Sequence, residues 1–406
     1  MSRSHLPRSR NGGLRIAVLA HLHHPIASPY AGGLEAHTAQ VVAALTDRGH
    51  DVILFAKAGT RVACRHVAVL EGRFTVEGYP DSRAMDRQHG VLDGAMRTAI
   101  RSARRGFDVV LNNSLSPVPY TALLGFPTLN VFHTPPLPRI VAVLSGEGWT
   151  PDPRHAYVSV SESNARAWRQ HLPSLGVIHN GIPLHQWDPT APRRAGQAVW
   201  TGRITPEKGT HVAIAAARRA GVELTLAGPI HDPEYFSLMI EPELDASIRY
   251  AGHLDHPSLR TLLSGAEVLV ASPLWEEPFG LNVVEALASG TPVAALPAGA
   301  MTEIISPAAG VVASRADAEA LAEAITAARR LPHGAVALAA QRFSIEHMVE
   351  RYEAELLRLA GGVPVAGTRP GRGAAAAEAH DAEPAESDPA DLERADESAG
   401  DPAAGH

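Results

Sequence analysis

Residues 31–56, AGGLEAHTAQVVAALTDRGHDVILFA, follow a short apolar and β-branched run from Leu14 to Ala20. Within this stretch apolar residues recur at helical spacing from Val41 to Leu45, and Gly49 suits the position after a helix end. The segment DVILFA at 51–56 then has the composition of a second strand. A strand, a helix and a strand in this order form a βαβ unit, which predicts a parallel sheet.

Two groups of short apolar segments extend this pattern. The first group continues at 107–113, 128–133 and 157–161, and the second begins near residue 197 with QAVWTGR. Strand-like and helical segments alternate in both groups. The sequence therefore predicts an α/β protein of two Rossmann-like, doubly wound parallel-sheet domains that face a central cleft. In such sheets ligands bind outside the carboxyl ends of the strands.

The predicted organisation of the chain follows from these two groups and from composition. It comprises a flexible N-terminus at 1–13, a first α/β domain at 14–190, a second at 191–342, a final helix at 343–362 and a disordered acidic tail at 363–406. The tail is rich in Ala, Glu, Asp, Pro and Gly. It has too few apolar residues to offset the entropy that ordering would cost.

Charge and cysteine content exclude several classes of partner. The net charge is −7, but residues 371–406 hold ten acidic residues against two arginines, so the rest of the chain carries about +1. A nearly neutral body argues against nucleic acid as the main partner. No apolar run approaches the roughly 18 residues of a membrane span, and the N-terminus lacks a secretory apolar segment. The single cysteine, Cys64, excludes an internal disulfide and suits a reducing compartment, so we expect a cytoplasmic protein.

Residues 275–295, WEEPFGLNVVEALASGTPVAA, contain two carboxylates eight positions apart. Intervening Pro and Gly residues favour a loop at Glu277, and a helix from about Leu281 to Ser289 then carries Glu285 on its second turn. Free N–H groups at the helix start suit an oxygen-rich ligand, while the carboxylates accept from hydroxyls, a combination that suits a sugar. The alternative is a plain helix start with solvated carboxylates. The backbone donors belong to Phe279, Gly280 and Leu281.

The segment WTGRITPEKGT places Arg203 and Lys208 on either side of a predicted helix start at Thr205 and Pro206. Two cations beside the positive end of a helix form an anion site, most simply for a phosphate or a diphosphate. The alternative is a pair of solvated cations. A lysine in the first turn opposes the helix dipole, which favours the functional interpretation.

Three further features follow strand ends. In AGGLEAH, Gly32 and Gly33 allow the backbone to approach a ligand closely, although a plain turn is the simpler explanation. His133 in NVFHTPP ends another strand, where a lone histidine is more often structural. The HLHH segment at 21–24 has no acidic partner at ligand spacing, so no metal site is predicted.

Taken together and in this order, these motifs resemble the family 4 retaining glycosyltransferases of the GT-B fold. The resemblance covers about residues 14–360 and is carried by EEPFGLNVVEALASGTPVAA with its E-x7-E spacing, GRITPEKGT, AGGLE and HTPP. It implies an acceptor domain at 14–190 and a nucleotide-sugar donor domain at 191–342. It also implies that the final helix packs back on the acceptor domain.

The resemblance implies that the second domain holds the donor. Glu277, together with the N–H groups of residues 279–281, would hold hydroxyls of the donor sugar, and Glu285 would hold the ribose hydroxyls. The nucleotide base would contact the segment YAGHLDH, mostly through its backbone. The residues implied there are Gly252, His253 and Leu254.

The resemblance also implies how the leaving group is held. Arg203 and Lys208 would bind the diphosphate and stabilise it as it leaves. Gly32 and Gly33 would approach that diphosphate from the first domain, and His133 would lie beside the reacting sugar.

The implied enzyme transfers a sugar from a nucleotide-diphosphate-sugar by a metal-independent front-face mechanism with no cofactor. Its acceptor is unidentified, a glycan, a lipid or a natural product, and acceptor contacts are expected in loops 72–90 and 113–120. Two alternatives stay open: a nucleotide-sugar epimerase on the same fold, and a non-catalytic nucleotide-sugar-binding subunit. A phosphorylase that uses pyridoxal phosphate is disfavoured, because its C-terminal lysine site is missing. The base, the sugar, the oligomeric state and any peripheral membrane contact are left open.

Overall fold

The computed structural model describes residues 12–75 and 82–361. The predicted flexible N-terminus up to residue 11 and the predicted acidic tail therefore lie outside the described residues. The described chain forms two parallel sheets with helices around them, which confirms the predicted α/β architecture. Among the helices of this part of the chain, none has the length and apolarity that a membrane crossing needs.

Seven parallel strands form the first sheet, and we call this sheet with its helices the first lobe. The strands are β1 (Arg15–Ala20), β2 (Asp51–Lys57), β3 (Arg65–Leu70), β4 (Val109–Asn113), β5 (Thr128–Phe132), β6 (His155–Ser159) and β7 (Gly176–Val177). Its helices are α1 (Gly33–Asp47), α2 (Ser82–Gly106), α3 (Pro119–Ala122), α4 (Pro138–Leu144) and α5 (Glu162–Trp168). The strand order is β3-β2-β1-β4-β5-β6-β7, with Val18 of β1 opposite Leu54 and Leu111.

Six parallel strands form the second sheet, the centre of the second lobe. They are β8 (Gln197–Thr201), β9 (Glu223–Ala227), β10 (Ile248–Tyr250), β11 (Val268–Ala271), β12 (Val293–Ala295) and β13 (Gly310–Val312), in the order β10-β9-β8-β11-β12-β13. The helices that follow are α6 (Thr210–Ala220), α7 (Pro233–Tyr235), α8 (His256–Ser264), α9 (Leu281–Ala288), α10 (Met301–Ile304), α11 (Ala318–Ala328), α12 (His333–Ala339) and α13 (Ile345–Ala360). The predicted domain boundary at 190/191 falls between the two sheets.

Strand burial and strand order together locate the ligand crevice. Every residue of β4, β5 and β11 is buried, as expected for parallel strands that helices cover on both faces. The strand order reverses between β1 and β4 in the first sheet and between β8 and β11 in the second. A crevice forms at such switch points, outside the carboxyl ends of the strands. The ends of β1 and β8 are therefore the places where a site is expected.

The chain leaves the first lobe and returns to it at one hydrogen-bonded crossing. The N–H of Ile182 donates to the carbonyl of Phe343 at 2.9 Å, and the N–H of Ile345 donates to the carbonyl of Ile182 at 2.9 Å. At Gly181 an added Cβ would lie 2.3 Å from the carbonyl oxygen of Ser344, so only glycine allows the two backbones this close.

Helix α13 packs against α1 of the first lobe and is anchored there by a buried carboxylate. Oε2 of Glu353 accepts from Nε of Arg48 at 2.8 Å, and Oε1 lies 2.9 Å from Nε2 of His50. His50 in turn accepts from the N–H of Leu14 through Nδ1 at 3.1 Å. The last helix, the end of α1 and the start of β1 thus share one polar cluster inside an apolar interface.

The helix predicted in WTGRITPEKGT begins at Thr210 rather than at Pro206, which corrects the sequence prediction. A short 3₁₀ turn comes first, and Gly209 then adopts a left-handed conformation with φ of 65°. A Cβ at Gly209 would lie 2.1 Å from the carbonyl oxygen of Ser272, so tertiary packing interrupts the helix there. The side chain of Thr205 makes no capping hydrogen bond.

Candidate active site

A cleft of about 440 Å³ lies between the two lobes at the carboxyl ends of β1 and β8. It is lined by twelve of the thirteen residues predicted for the site: Gly32, Gly33, His133, Arg203, Lys208, His253, Leu254, Glu277, Phe279, Gly280, Leu281 and Glu285. The exception is Gly252, whose carbonyl accepts from the N–H of Gly228 at 2.9 Å. Of the predicted acceptor loops, residues 76–81 lie outside the described residues, and Leu115 lines the cleft.

Lys208 and Glu277 meet directly in this cleft. Nζ of Lys208 donates to Oε2 of Glu277 at 2.5 Å. The same carboxylate oxygen accepts from Nε1 of Trp275 at 2.9 Å, and the lysine ammonium lies 5.2 Å from the centroid of the indole ring. Lys208 is thus held by an ion pair and a cation–π contact. Sequence reasoning missed the role of Trp275, although it stands two residues before Glu277.

Arg203 lies on the same wall of the cleft as Lys208, but its side chain has different surroundings. Its side chain is half-buried, and within residues 12–75 and 82–361 no hydrogen-bond or ion-pair partner contacts it. A guanidinium presents five donors in a fixed fork that matches phosphate oxygens. Its charge is therefore available to an anionic ligand in the cleft.

The loop that carries Glu277 is held by contacts on three sides. The carbonyl of Glu277 accepts from the N–H of Ala300 at 2.9 Å, and the carbonyl of Pro278 accepts from Oγ of Ser161 in the first lobe at 2.5 Å. Nδ2 of Asn282 donates to the carbonyl of Thr201, at the end of β8, at 2.9 Å. These bonds fix the start of α9 against both sheets.

Gly280 supplies the backbone conformation that starts α9. It has φ of 91°, a left-handed conformation that side chains disfavour, and an added Cβ would lie 2.6 Å from Cε of Met301. The helix then runs to Ala288, one residue short of the predicted end. Its first two residues, Leu281 and Asn282, line the cleft.

Glu285 is buried on the second turn of α9, with 9% of its surface exposed. No side-chain hydrogen-bond partner is present among the described residues. Burial raises the pKa of this carboxyl to about 8, because an isolated charge is disfavoured away from water. At neutral pH Glu285 is therefore mainly the uncharged acid.

His133 lies at the end of β5 among other polar groups. Its Nε2 is 3.3 Å from Oδ1 of Asn113, and its ring packs edge-on against His37 with centroids 4.7 Å apart. Burial, with His37 as a smaller cause, lowers the pKa of His133 well below its usual value. The ring is neutral at pH 7 and offers a hydrogen bond without a charge.

A third carboxylate of the cleft, Glu35, was missed by sequence reasoning. It stands on the first turn of α1, with Oε1 2.9 Å from Nε2 of His21. Burial acts to raise the pKa of Glu35, but the contact with His21 outweighs it and holds this pKa below its usual value. The signal was the Glu that follows the paired glycines in AGGLE, opposite the histidines of HLHH.

The glycine loop and the predicted base segment both contact the opposite lobe. A Cβ at Gly33 would lie 3.1 Å from Cδ1 of Leu281 on α9, so this glycine permits a close approach of the lobes. Nε2 of His253 lies 3.1 Å from the carbonyl oxygen of Tyr30, whose ring packs edge-on against His256. The two lobes therefore touch each other at both of these segments.

Comparison with known proteins agrees with this arrangement. Residues 31–186 match the family model described as Glycosyltransferase Family 4, and residues 185–339 match that described as Glycosyl transferases group 1, so together they cover most of the chain. Glycogen synthase of Mycobacterium tuberculosis is 28% identical over 356 residues, which cover 77% of this chain and 85% of the relative.

Solved structures share the fold at lower identity. AviGT4, a glycosyltransferase involved in avilamycin A biosynthesis, superposes with a TM-score of 0.63 at 22% identity, covering 86% of this chain and 99% of AviGT4. HepE of Anabaena, solved in complex with UDP-glucose, gives 0.64 at 18% identity, covering 85% and 99%. The chain is therefore an enzyme of the family 4 glycosyltransferases, and its fold is GT-B.

Proposed function

We propose that this glycosyltransferase takes its sugar from a nucleotide-diphosphate-sugar in the cytoplasm and transfers it with retention of configuration, without a metal ion. The observation that carries the proposal is the convergence of Arg203, Lys208 and Glu277 on one wall of the cleft. The complex of HepE with UDP-glucose, a protein of the same fold, supports this class of donor.

Arg203 and Lys208 would act on the leaving diphosphate. When the bond between the sugar and the β-phosphate breaks, negative charge grows on the phosphate oxygens. A cation that is already held in place stabilises that charge without reorganising. The Trp275 ring and Glu277 hold the Lys208 ammonium in place before a ligand arrives, whereas Arg203 is free to form a bidentate contact.

Glu277 would bind hydroxyls of the donor sugar through the oxygen that Lys208 and Trp275 leave unused. Its Oε2 accepts both of those donors, so Oε1 is left for a hydroxyl. Lys208 then links sugar and diphosphate, since the group that orients the carboxylate also neutralises the leaving group. The N–H groups at the start of α9 add donors beside it.

Glu285 would bind the ribose hydroxyls of the nucleotide. Two adjacent hydroxyls donate best to a carboxylate, so ligand binding favours loss of the Glu285 proton. Because burial alone raises the pKa to about 8, the uncharged acid predominates at pH 7, and donors from a bound ribose would shift the equilibrium to the carboxylate. Binding and ionisation of this residue are then coupled.

Transfer would occur on one face of the sugar. The acceptor oxygen forms a bond to the anomeric carbon as the bond to the diphosphate breaks, and the acceptor proton passes to the departing phosphate oxygen. No protein nucleophile takes part, which differs from retaining glycosidases. The neutral ring of His133 would position the reacting sugar by a hydrogen bond, with its partner Asn113 fixing its orientation.

A panel of nucleotide diphosphates and nucleotide-sugars tests the donor class by thermal shift. A ligand at 100 times its dissociation constant stabilises the folded state by about 2.7 kcal/mol. We expect one nucleotide series to stabilise the protein and Arg203→Ala to abolish that shift, while the exposed Arg105→Ala control retains it. Absence of a shift with every nucleotide would contradict the proposal.

The sequence contains two lysines, Lys57 and Lys208, which permits a direct probe of the site. Reductive methylation with ¹³C keeps both charges and gives one NMR signal for each side chain. We expect the bound nucleotide diphosphate to shift the Lys208 signal and leave that of Lys57, which is buried behind the cleft, nearly unchanged.

Product analysis tests the reaction. With EDTA present, an acceptor glycoside whose anomeric configuration matches the donor is the expected product. Conversion of the nucleotide-sugar without an acceptor would indicate an epimerase instead. Tight binding with no turnover against a broad acceptor panel would favour a non-catalytic binding subunit.

A further inference from the structure

The two walls of the cleft differ in charge. Among the described residues that line it, the second lobe contributes both Arg203 and Lys208, whereas the first lobe contributes neither lysine nor arginine. The first lobe instead presents imidazoles and one carboxylate. We call this surface the histidine wall, formed by His21, His23, His24, Glu35 and His37.

From this surface we propose that the histidine wall is the acceptor subsite, and that it selects a neutral, hydroxyl-rich acceptor over a phosphorylated one. The inference rests on the proposed function. Once the donor occupies the second lobe, the first-lobe wall is the part of the cleft left for the acceptor. The expected class is an unphosphorylated saccharide or other polyol.

The imidazoles of the wall suit hydroxyl groups. Burial, helped by His21 and His24, lowers the pKa of His23 to about 4, and burial also lowers the pKa of His24. A neutral imidazole has one donor and one acceptor, which is the same pair of functions that a hydroxyl has. A phosphate monoester offers mostly acceptors and is bound best by cationic donors, and the described part of this wall contains no lysine or arginine.

Glu35 adds a fixed negative charge to the wall. Nε2 of His21 lies 2.9 Å from Oε1 of Glu35, and Nδ1 of the same ring accepts from the N–H of His23 at 3.4 Å. This carboxylate is ionised at neutral pH and accepts from hydroxyls. The same charge repels a phosphate group.

The lysine closest to the histidine wall, Lys57, donates to the backbone of the HLHH segment. Lys57 is 3% exposed, does not line the cleft, and its Nζ donates to the carbonyl of His23 at 3.0 Å. It therefore holds the HLHH segment in place. Across the cleft His24 faces His231 of the second lobe, with ring centroids 6.3 Å apart, so the wall adjoins the donor side.

Matched pairs of probes test this selection in the presence of a saturating nucleotide diphosphate, which fills the site of Arg203 and Lys208. The pairs are glucose with glucose 6-phosphate, mannose with mannose 6-phosphate, and myo-inositol with inositol 3-phosphate. Saturation-transfer NMR on the full chain measures each. We expect at least one neutral member to bind, and to bind at least tenfold more tightly than its phosphorylated partner.

Two variants locate the binding on the wall. Glu35→Gln should weaken the neutral probe about tenfold while the nucleotide dissociation constant stays within twofold, and Glu319→Gln, exposed on α11, should change neither. His24→Arg should raise the affinity for the phosphorylated probe about tenfold by placing a cation in the wall. The His24→Arg variant keeps Glu35, so its result stands even if the replacement of Glu35 disturbs α1.

Each result decides the inference. Tighter binding of phosphorylated members in the wild-type chain, or binding of no neutral member, overturns it, and so does a neutral probe that Glu35→Gln leaves unaffected. Failure of every nucleotide diphosphate to bind is a separate result, which refutes the proposed function rather than the acceptor class.

Discussion

Glu277 and Glu285 stand eight residues apart in one motif, yet the structure places them in opposite electrostatic environments. Glu277 accepts from Lys208 and Trp275 at the mouth of α9, whereas Glu285 is buried on the second turn with no side-chain partner among the described residues. The first carboxylate is neutralised before any ligand arrives, and the pKa of the second is about 8. Equal chemistry in the sequence therefore meets two environments, one with a lysine beside the carboxylate and one with no side-chain partner among the described residues.

The largest expected effect comes from the charged half of this comparison. Lys208→Ala removes the cation at the leaving group and should lower kcat about 10²- to 10³-fold, as for loss of one preorganised donor at a developing charge. Steady-state kinetics with the transferred sugar measures it, and Arg105→Ala serves as the control. An unchanged kcat in Lys208→Ala would remove the role in leaving-group stabilisation.

Glu285→Ala tests the buried half. Loss of a hydrogen-bonding carboxylate should weaken nucleotide binding by about 1.5–3 kcal/mol. Calorimetric titration with the nucleotide diphosphate measures this, with the exposed Glu319→Ala as the control. A variant with normal nucleotide affinity but greatly lowered kcat would instead assign Glu285 to the chemical step.

The pH dependence separates the two carboxylates directly. Because the pKa of Glu285 is about 8 in the empty cleft and the ribose favours the carboxylate, nucleotide affinity should rise with pH below 8. Well below pH 8 the association constant of the nucleotide should rise by about tenfold per pH unit. Glu285→Gln should lack this pH dependence. Because the ligand phosphates titrate in the same way with both proteins, comparing the two also removes their contribution. A wild-type slope equal to that of Glu285→Gln would show that the residue is already ionised.

Stability of the empty protein should show the opposite trend. The unfolded chain ionises this carboxyl near its ordinary pKa of 4.5, and the folded chain near 8. Ionisation of this group in the unfolded chain therefore lowers the free energy of unfolding as pH rises from 4.5 to 8. The contribution of Glu285 favours the folded state most below pH 4.5. Thermal melts of the wild type and Glu285→Gln should diverge over that window, with the variant more stable at pH 8.

The smallest effect is expected at Trp275. Trp275→Phe keeps an aromatic ring near Lys208 but removes the N–H that orients Glu277. Loss of one such bond should cost about 0.5–1.5 kcal/mol, seen as a few-fold rise in KM for the donor. Trp149→Phe removes a comparable indole bond to the carbonyl of Tyr120 in the first lobe and should leave KM unchanged.

Local pattern was enough to predict the fold and the part of the cleft formed by strand ends. Parallel strands place their carboxyl ends at one edge, so motifs that follow β1, β8 and β11 were expected to meet there. Helix α9 was predicted closely because Gly280 and Gly290, with φ of 91° and 68°, bracket it in the sequence itself. Helix α6 was not, since its start depends on the carbonyl of Ser272, 63 residues from Gly209.

The contacts that the site residues make with each other could not be predicted from the sequence. The pair of Lys208 and Glu277 joins residues 69 positions apart, and its geometry depends on how the β8 and β11 connections fold over the sheet. The low pKa values of His23 and His24 and the high pKa of Glu285 result from burial, which spacing does not give. Residue types predicted the chemistry of the cleft, and packing determines its protonation.

The return of α13 has a consequence for how the molecule is made. Residues 345–360 complete the first lobe, yet they leave the ribosome only after the whole second lobe has been synthesised. Until then the face of α1 that α13 packs against has no covering helix, and Arg48 lacks the carboxylate of Glu353. The two lobes therefore cannot mature one after the other, and a chain stopped before α13 would present an uncovered, aggregation-prone face to chaperones.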